Sequence, residues 1–130
     1  MDYKKLVEIA YEAMEKAYVP YSNFNVGAAL LGKSGKVYKG CNVECASFGG
    51  TNCAERTALF KAVSEGEREF TAIAIVSRTR DITAPCGICR QVLAEFGTDL
   101  DVILAKDLEY KVYKLSELLP LNFTSDELDK

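Results

Sequence analysis

The chain has 130 residues, of which 48% are hydrophobic and 27% charged, and its formal net charge is -3. This length predicts one domain over residues 1–130, large enough to bury about two-thirds of its unfolded surface. An acidic chain lacks the basic stripe that is typical of nucleic-acid-binding proteins, so we expect no nucleic-acid partner. No apolar stretch approaches the length of a membrane span, so we expect no membrane partner either.

Hydrophobic periodicity and turn residues divide the chain into helices and strands. In chain order the pattern predicts a helix over 2–17, strands over 26–31 and 36–41, a loop over 42–52, a helix over 53–65, a strand over 72–77, a helix over 86–96, strands over 101–105 and 110–115, a helical turn over 116–119 and a short or frayed helix over 124–130. The strand over 72–77 is continuously apolar, which is typical of a strand covered on both faces.

The connections between these elements predict the sheet topology. The strand–helix–strand unit over 72–105 makes its two strands parallel, whereas the tight turn over 32–35 makes the first pair an antiparallel hairpin. Only a few residues separate the last two strands, too few for a crossover, so we expect them to be antiparallel. The predicted fold class is therefore α/β, a three-layer α-β-α sandwich with a mixed five-stranded sheet.

The cysteine and histidine counts restrict the possible chemistry, because the chain has five cysteines and no histidine. An odd number of cysteines without a secretory leader is typical of a reducing compartment, so we expect a cytoplasmic protein. Without histidine, any metal must be held by sulfur or oxygen, and no Ser-His or Cys-His nucleophile can form.

Three cysteines stand at the starts of two predicted helices: Cys86 and Cys89 begin one, and Cys53 begins another. Helix N-termini favour thiolates, because free N–H groups and the helix dipole stabilise negative charge. Three sulfur ligands describe a zinc ion with one open position, where water becomes a nucleophile. Glu55 is a ready proton carrier, but two residues after Cys53 on a regular helix it would point away. It reaches the metal only if Cys53 is a cap residue with non-helical backbone angles.

Two arginines lie on the same predicted helix faces as these cysteines. Arg56 is three residues after Cys53, and Arg90 is four residues after Cys86. Three thiolates around a dication leave a net charge of about -1, and guanidinium hydrogen bonds to the sulfurs would withdraw part of it. We predict this role for Arg56 and leave it open for Arg90, since either arginine could simply be solvated.

Two other interpretations of the cysteines remain open. Cys86 and Cys89 could form a redox pair, which predicts a disulfide that dithiothreitol reduces. A purely structural zinc site would need a fourth ligand, for which Cys41 and Cys45 are the candidates. Replacing Cys41 and Cys45 by serine would then release the zinc.

Four segments resemble the small, single-domain, homotetrameric cytidine deaminases, and the resemblance covers nearly the whole chain. They are PYSNFNVGAAL at 20–30, GCNVE at 40–44, CAERTA at 53–58 and PCGICRQV at 85–92. The resemblance implies hydrolytic deamination of cytidine and 2′-deoxycytidine to uridine and 2′-deoxyuridine, with release of ammonia, in pyrimidine salvage. It implies zinc-activated water with Glu55 as proton shuttle, and one Zn²⁺ per subunit held by Cys53, Cys86 and Cys89.

The resemblance also implies how a nucleoside binds. Phe24 would pack on the pyrimidine ring, and the Ala54 backbone N–H would bind the base carbonyl. Asn42 and Glu44 would bind the ribose 3′-hydroxyl, with Val43 between them in the same site. Two residues apart in an extended segment, Asn42 and Glu44 share a side. The alternatives are that Asn42 and Glu44 only form hydrogen bonds with the backbone of their own loop, and that Phe24 only packs in the core.

In this family, neighbouring subunits complete each active site. The resemblance implies a homotetramer in which Ala46, Phe48 and Phe123 are the candidates for this contribution. Two positions depart from the common pattern, since Phe48 stands where tyrosine is frequent and Cys45 where asparagine is frequent. The departures concern the sugar pocket and the subunit contacts rather than the zinc chemistry.

Three other functions agree less well with the sequence than deamination of a nucleoside. A deaminase of tRNA or single-stranded DNA would need a basic groove and a helix between the last two strands, and this chain predicts neither. A deaminase of a nucleoside-like antibiotic would not explain the pair Asn42 and Glu44. A structural zinc module that binds another protein would need four ligands and would leave Glu55 without a role.

Overall fold

The computed structural model of the protein describes residues 1–128. Its helices are α1 Tyr3–Met14, α2 Ala54–Ser64, α3 Gly87–Ala94 and α4 Leu115–Leu118. Its strands are β1 Val26–Gly32, β2 Val37–Cys41, β3 Phe70–Ser77, β4 Asp101–Lys106 and β5 Glu109–Lys114. Short 3₁₀ helices occur at Phe48–Gly50 and Ser125–Glu127. None of the helices in residues 1–128 has the length and apolar character that crossing a membrane requires.

The strands form one five-stranded mixed sheet in the order β2-β1-β3-β4-β5. β1 pairs antiparallel with β2 and with β3, β3 pairs parallel with β4, and β4 pairs antiparallel with β5. The parallel pair arises because the connection from β3 to β4 runs through α3, whereas a short turn joins β4 to β5. The predicted mixed sheet with an antiparallel last pair is confirmed.

Helices cover both faces of the sheet, and the alternation of side chains along each strand assigns residues to the two sides. On one face α1 packs against Ala29, Leu31, Ala72, Ala74, Val76, Ile103 and Ala105. On the other, residues of α2, α3 and α4 pack against Ala28, Leu30, Ile73, Ile75, Val102 and Leu104. β3 has buried side chains on both faces of the sheet, which explains its continuous apolar run. The predicted three-layer sandwich is confirmed.

The predicted boundaries differ from the structure where the chain makes contacts that periodicity does not report. α1 ends at Met14 rather than at residue 17, and Tyr18 forms a β-bridge with Val43. The predicted loop over 42–52 contains a second bridge, from Val43 to Asn52, and a 3₁₀ turn. The predicted helix of the tail is a 3₁₀ turn at Ser125–Glu127, and its last two residues lie outside the described part.

Candidate metal centre and active site

The sulfur atoms of Cys53, Cys86 and Cys89 converge where α2 and α3 begin. All three lie within 4.8 Å of one another, with Cys53 and Cys86 separated by 3.9 Å and Cys86 and Cys89 by 3.4 Å. In a tetrahedral zinc–thiolate site, Zn–S bonds of about 2.3 Å place neighbouring sulfurs roughly 3.8 Å apart. The three cysteines therefore have the spacing of ligands around one zinc ion.

Cys53 and Cys86 are N-cap residues of α2 and α3. Both have extended backbone angles, with φ -74° and ψ 157° at Cys53 and φ -67° and ψ 167° at Cys86. The Cys86 sulfur accepts the backbone N–H of Cys89 at 3.4 Å, as an oxygen does in an ordinary N-cap. The predicted helices therefore began one residue too early. Because a cap residue does not follow helical spacing, Glu55 no longer has to point away from the Cys53 sulfur.

Glu55 is a buried carboxyl group beside the sulfur cluster, with 5% of its surface exposed. Burial raises the pKa of Glu55 to about 7, against the opposing influence of its backbone hydrogen bond and of Cys89 and Arg56. Among the described residues the carboxylate does not belong to the set of mutually close metal ligands. A carboxyl group with a pKa near neutrality can both accept and donate a proton at neutral pH.

Arg56 supplies positive charge to the sulfur cluster. Its Nη2 donates to the Cys53 sulfur at 3.3 Å, and its buried Nε has no hydrogen-bond partner among the described residues. A hydrogen bond from the Cys89 thiol, together with the Arg56 contact, lowers the pKa of Cys53 to about 5 although burial opposes this. A partly buried cation that donates a hydrogen bond to a sulfur favours the thiolate form of that sulfur. The donor set thus fits a thiolate-bound zinc ion.

The other two cysteines do not join this cluster. Cys41, at the end of β2, is half-buried, and Cys45 is exposed with its sulfur 3.6 Å from the Gly50 carbonyl oxygen. In residues 1–128 neither belongs to the group of possible metal ligands. A structural four-sulfur site therefore lacks its fourth sulfur, and a redox pair of Cys86 and Cys89 would leave the approach of Cys53 unexplained.

The Asn42 side chain connects the segment after β2 to the loop before β1. Its Oδ1 accepts the Val26 N–H at 2.9 Å, and its Nδ2 donates to the Phe24 carbonyl at 2.7 Å. The Phe24 ring is half-buried and packs against the core on the side of α2 and α3. The bridge between Val43 and Asn52 holds this segment next to the N-cap of α2.

The Glu44 carboxylate is held by the loop that follows α1. It accepts the Tyr21 N–H at 3.0 Å, the Ser22 N–H at 3.1 Å and the Ser22 hydroxyl. The hydrogen bond from the Ser22 hydroxyl, more than those from the backbone, lowers the pKa of Glu44. Asn42 and Glu44 thus do cap neighbouring backbone, but a carboxylate has about four acceptor sites and an amide about four bonds. Both retain capacity for a further hydrogen bond.

The remaining predicted site residues differ in exposure. Ala54, the first residue of α2, is fully buried, and its backbone N–H has no acceptor within the helix. Ala46, Phe48 and Phe123 are exposed, the two rings by 76% and 57%. The Phe48 and Tyr21 rings form a T-shaped pair, with centroids 6.1 Å apart. Within one subunit these three residues lie on the surface.

Gly40 is a residue of the site that sequence periodicity did not reveal. A Cβ at this position would overlap the Ala54 carbonyl oxygen and would lie 2.5 Å from the Ala58 nitrogen. The first turn of α2 therefore lies directly on β2, and this contact determines where Cys53 sits. A glycine inside a strand is the usual sign of such close backbone approach, and it is the signal that could have identified Gly40.

Comparison with known proteins bears directly on this cluster. The family described as "Cytidine and deoxycytidylate deaminase zinc-binding region" matches residues 1–105. The chain belongs to this deaminase family. A cytidine deaminase of Halalkalibacterium halodurans is 50% identical over 131 residues, which cover 99% of both chains. A cytidine deaminase of Sporosarcina psychrophila is 47% identical over 130 residues, 98% of this chain and 96% of the relative.

A solved structure shows the same relationship in three dimensions. The crystal structure of cytidine deaminase from Burkholderia pseudomallei shares 52% sequence identity and a TM-score of 0.90, covering 95% of this chain and 100% of the other. The sandwich is thus the cytidine deaminase fold. The chain is an enzyme, a zinc hydrolase of this deaminase family, and the cluster of Cys53, Cys86 and Cys89 is compatible with one zinc ion per subunit.

Proposed function

We propose that this deaminase hydrolyses cytidine and 2′-deoxycytidine to uridine and 2′-deoxyuridine with release of ammonia, as a step of pyrimidine salvage. The observation that carries the proposal is the triangle of three sulfurs beside a buried carboxyl group, in a chain about half identical to cytidine deaminases. The whole of residues 1–130 forms one nucleoside deaminase domain.

In the proposed mechanism Cys53, Cys86 and Cys89 hold the zinc ion, and Glu55 moves the protons. Zinc bound there supplies a Lewis acid that lowers the pKa of a water molecule towards neutrality. Glu55 accepts one proton from the attacking water and delivers it to N3 of the base. It then accepts the remaining proton from the new C4 hydroxyl and delivers it to the amino group, which leaves as ammonia as the C4 carbonyl forms. Its burial and its pKa of about 7 support this shuttle role.

Arg56 balances the charge of the thiolates. Its guanidinium donates to Cys53, and a partial withdrawal of negative charge keeps the metal a stronger Lewis acid. The contact of its Nη2 with the Cys53 sulfur at 3.3 Å supports this role.

Phe24, Asn42, Val43, Glu44 and Ala54 form the proposed nucleoside site. The Phe24 ring packs on the pyrimidine, and the free N–H of Ala54 binds the base carbonyl. The remaining hydrogen-bonding capacity of Asn42 and Glu44 serves the ribose 3′-hydroxyl, with Val43 fixing their segment through its β-bridges to Tyr18 and Asn52.

The active form is a homotetramer in the cytoplasm, with no membrane or nucleic-acid partner. Neighbouring subunits contribute Ala46, Phe48 and Phe123 to each site. The exposed rings of Phe48 and Tyr21 adjoin one another, and such contiguous apolar surface supports a subunit contact there. Sedimentation velocity should show a species of four subunits, and replacing Phe48 by serine should shift it towards smaller species.

The function is tested by adding cytidine to the purified protein and following its ultraviolet absorption band. We expect the band to change to that of uridine, the change to stop after zinc removal by a chelator, and added zinc to restore it. Free cytosine, a single-stranded oligonucleotide and an aminoacyl-nucleoside antibiotic serve as competing substrates. No spectral change with the zinc-loaded protein, or faster turnover of one of the competitors, would contradict the proposal.

A further inference from the structure

Arg90 joins the loop that carries a metal ligand to the C-terminal part of the chain. Its Nε donates to the Pro85 carbonyl at 2.8 Å, and its Nη1 donates to the Leu118 carbonyl at 2.7 Å. Pro85 is fully buried and directly precedes Cys86, while Leu118 is the last residue of α4. A single guanidinium therefore ties together two segments that are distant in sequence.

The Arg90 side chain loses part of its contact with water when it forms these bonds. It is half-buried, and the two hydrogen bonds that it donates go to main-chain carbonyls. A buried charge needs such partners, and charge-assisted bonds of this kind are stronger than neutral ones. A guanidinium holds its donors in one rigid plane, whereas the ammonium of lysine is a single point at the end of a flexible chain. The pair of bonds is thus specific to arginine.

The orientation of the Pro85 carbonyl determines the orientation of a proposed ligand. The peptide unit is planar, so a restraint on this carbonyl also orients the Cys86 nitrogen and its extended backbone. That extended conformation makes Cys86 the N-cap and brings its sulfur to 3.4 Å from the Cys89 sulfur. A restraint on Pro85 therefore acts on the geometry of the sulfur pair.

We propose that Arg90 is a positioning residue that retains the metal, because it holds the Pro85–Cys86 peptide in the orientation needed for ligation. The inference rests on the zinc site of the proposed function and deepens it. Arg90 differs from Arg56, which donates directly to a sulfur atom. Arg90 instead acts on the backbone next to Cys86, through the Pro85 carbonyl.

The neighbouring residue offers a matched comparison on the same helix. The Nε2 atom of Gln91 donates to the Phe123 carbonyl at 2.6 Å, so α3 also holds the tail. This bond does not involve the loop at Pro85. A Gln91→Leu variant therefore removes an attachment of the C-terminal segment while leaving the restraint on the metal loop in place.

A second control reproduces the chemistry of Arg90 elsewhere in the fold. Arg68, which follows the end of α2, donates through Nη1 to the carbonyls of Val63 at 2.7 Å and Glu67 at 3.0 Å. Replacing Arg68 by alanine removes an arginine bonded to two carbonyls without touching the loop at Pro85. It reports what such a loss does to stability alone.

The test follows zinc transfer from the native, zinc-loaded protein to an excess of the chromogenic chelator 4-(2-pyridylazo)resorcinol, with urea unfolding measured in parallel. We expect Arg90→Ala and Arg90→Lys to release zinc about 10- to 100-fold faster than the wild type, the usual effect of removing a residue that orients a ligand. Gln91→Leu and Arg68→Ala should release zinc at the wild-type rate. If Arg90→Ala does not fold, Arg90→Lys, which keeps the charge, decides the question.

Equal zinc release by the Arg90 variants and the wild type would overturn the proposal. So would an acceleration matched by a control variant with the same loss of urea stability, because Arg90 would then act only on the fold as a whole. The transfer assay uses no nucleoside. A failure of the proposed reaction therefore appears separately, as absence of cytidine turnover by a wild-type protein that does hold zinc.

Discussion

Glu55 and Arg56 are adjacent residues that face the sulfur cluster with opposite charges. The carboxyl group is buried, which raises its pKa to about 7, and the guanidinium donates to the Cys53 sulfur. Both reach the cluster because Cys53 is extended and precedes the helix proper. At the scale of single residues the proposed chemistry thus depends on one backbone conformation at one position.

Replacing Glu55 by glutamine should slow turnover strongly while sparing the metal. The amide has nearly the same shape but cannot shuttle a proton, so we expect the rate of deamination to fall by about 100- to 10,000-fold. Zinc content, measured by atomic absorption, should equal that of the wild type. A variant that remains active would refute the role of Glu55, and one that loses zinc would show that its carboxyl group supports the metal site.

The Arg56→Gln variant should fold but bind zinc more weakly. Loss of the guanidinium leaves the thiolate charge uncompensated, and changes of this type typically lower metal affinity by about 10- to 100-fold. Competition with a chelator measures the affinity, and steady-state kinetics with cytidine measure the accompanying loss of rate. Arg78→Gln, at an exposed position after β3, makes the same change of charge as a control. Unchanged zinc affinity and kinetics in Arg56→Gln would remove the proposed role.

At the scale of elements, two helix starts and one strand build the candidate metal centre. α2 and α3 present their N-caps to one point, and β2 allows α2 to approach because Gly40 carries no side chain. The first four N–H groups of each helix have no acceptor within the helix. The sulfur of Cys86 uses one of them, that of Cys89.

Replacing Gly40 by alanine should push α2 away from β2. The added Cβ overlaps main-chain atoms of Ala54 and Ala58, which cannot move as a flexible side chain could. Overpacking of this kind typically costs about 1–3 kcal/mol of unfolding free energy, and we expect the displaced Cys53 to lower zinc retention as well. Urea unfolding and zinc analysis measure the two effects.

Gly49→Ala provides the control for this substitution, because a Cβ at Gly49 would meet nothing within 4 Å. Its stability should remain close to that of the wild type. If Gly40→Ala were equally harmless, the close packing of α2 on β2 would not be what positions Cys53.

At the scale of the whole molecule, one carboxylate joins the first helix to the last two strands. Asp101, at the start of β4, accepts the Tyr3 hydroxyl at 2.6 Å and pairs with Lys114 of β5 at 2.7 Å. The hydrogen bond that Lys114 donates, followed by that from Tyr3, lowers the pKa of Asp101. The network lies where β4 begins. Cys86, by contrast, comes after the end of β3, which runs parallel to β4.

A lowered folded-state pKa means that ionised Asp101 stabilises the fold at neutral pH. This contribution is present above the unfolded value of about 3.9 and is lost as the pH falls through the folded pKa. The difference in unfolding free energy between the wild type and Asp101→Asn should therefore be largest above about pH 5 and should shrink towards pH 3. Urea unfolding at fixed protein concentration measures it.

A Lys114→Met background tests the origin of this difference. If Lys114 is the principal partner, the effect of Asp101→Asn and its pH dependence should both be smaller in that background, as in a double-mutant cycle. A difference that stays constant from pH 5.5 to about pH 3 would contradict the assignment, since it would not follow the titration of Asp101.

The amino-acid sequence by itself determined the order of the elements, the mixed sheet and the three candidate sulfur ligands. These features depend on periodicity, connection length and local spacing, which are properties of neighbouring residues. The family likeness pointed to Glu55 as well, although helical spacing alone argued against it.

Only the tertiary structure decided the extended conformation of Cys53, the approach of α2 over Gly40 and the bond from Arg90 to Leu118. Each depends on two segments far apart in sequence meeting at a distance set by packing, which no local pattern encodes. The three cysteines of the candidate metal centre could therefore be named from the chain, but the contacts that hold them in place appear only when α2, α3 and the C-terminal segment pack together.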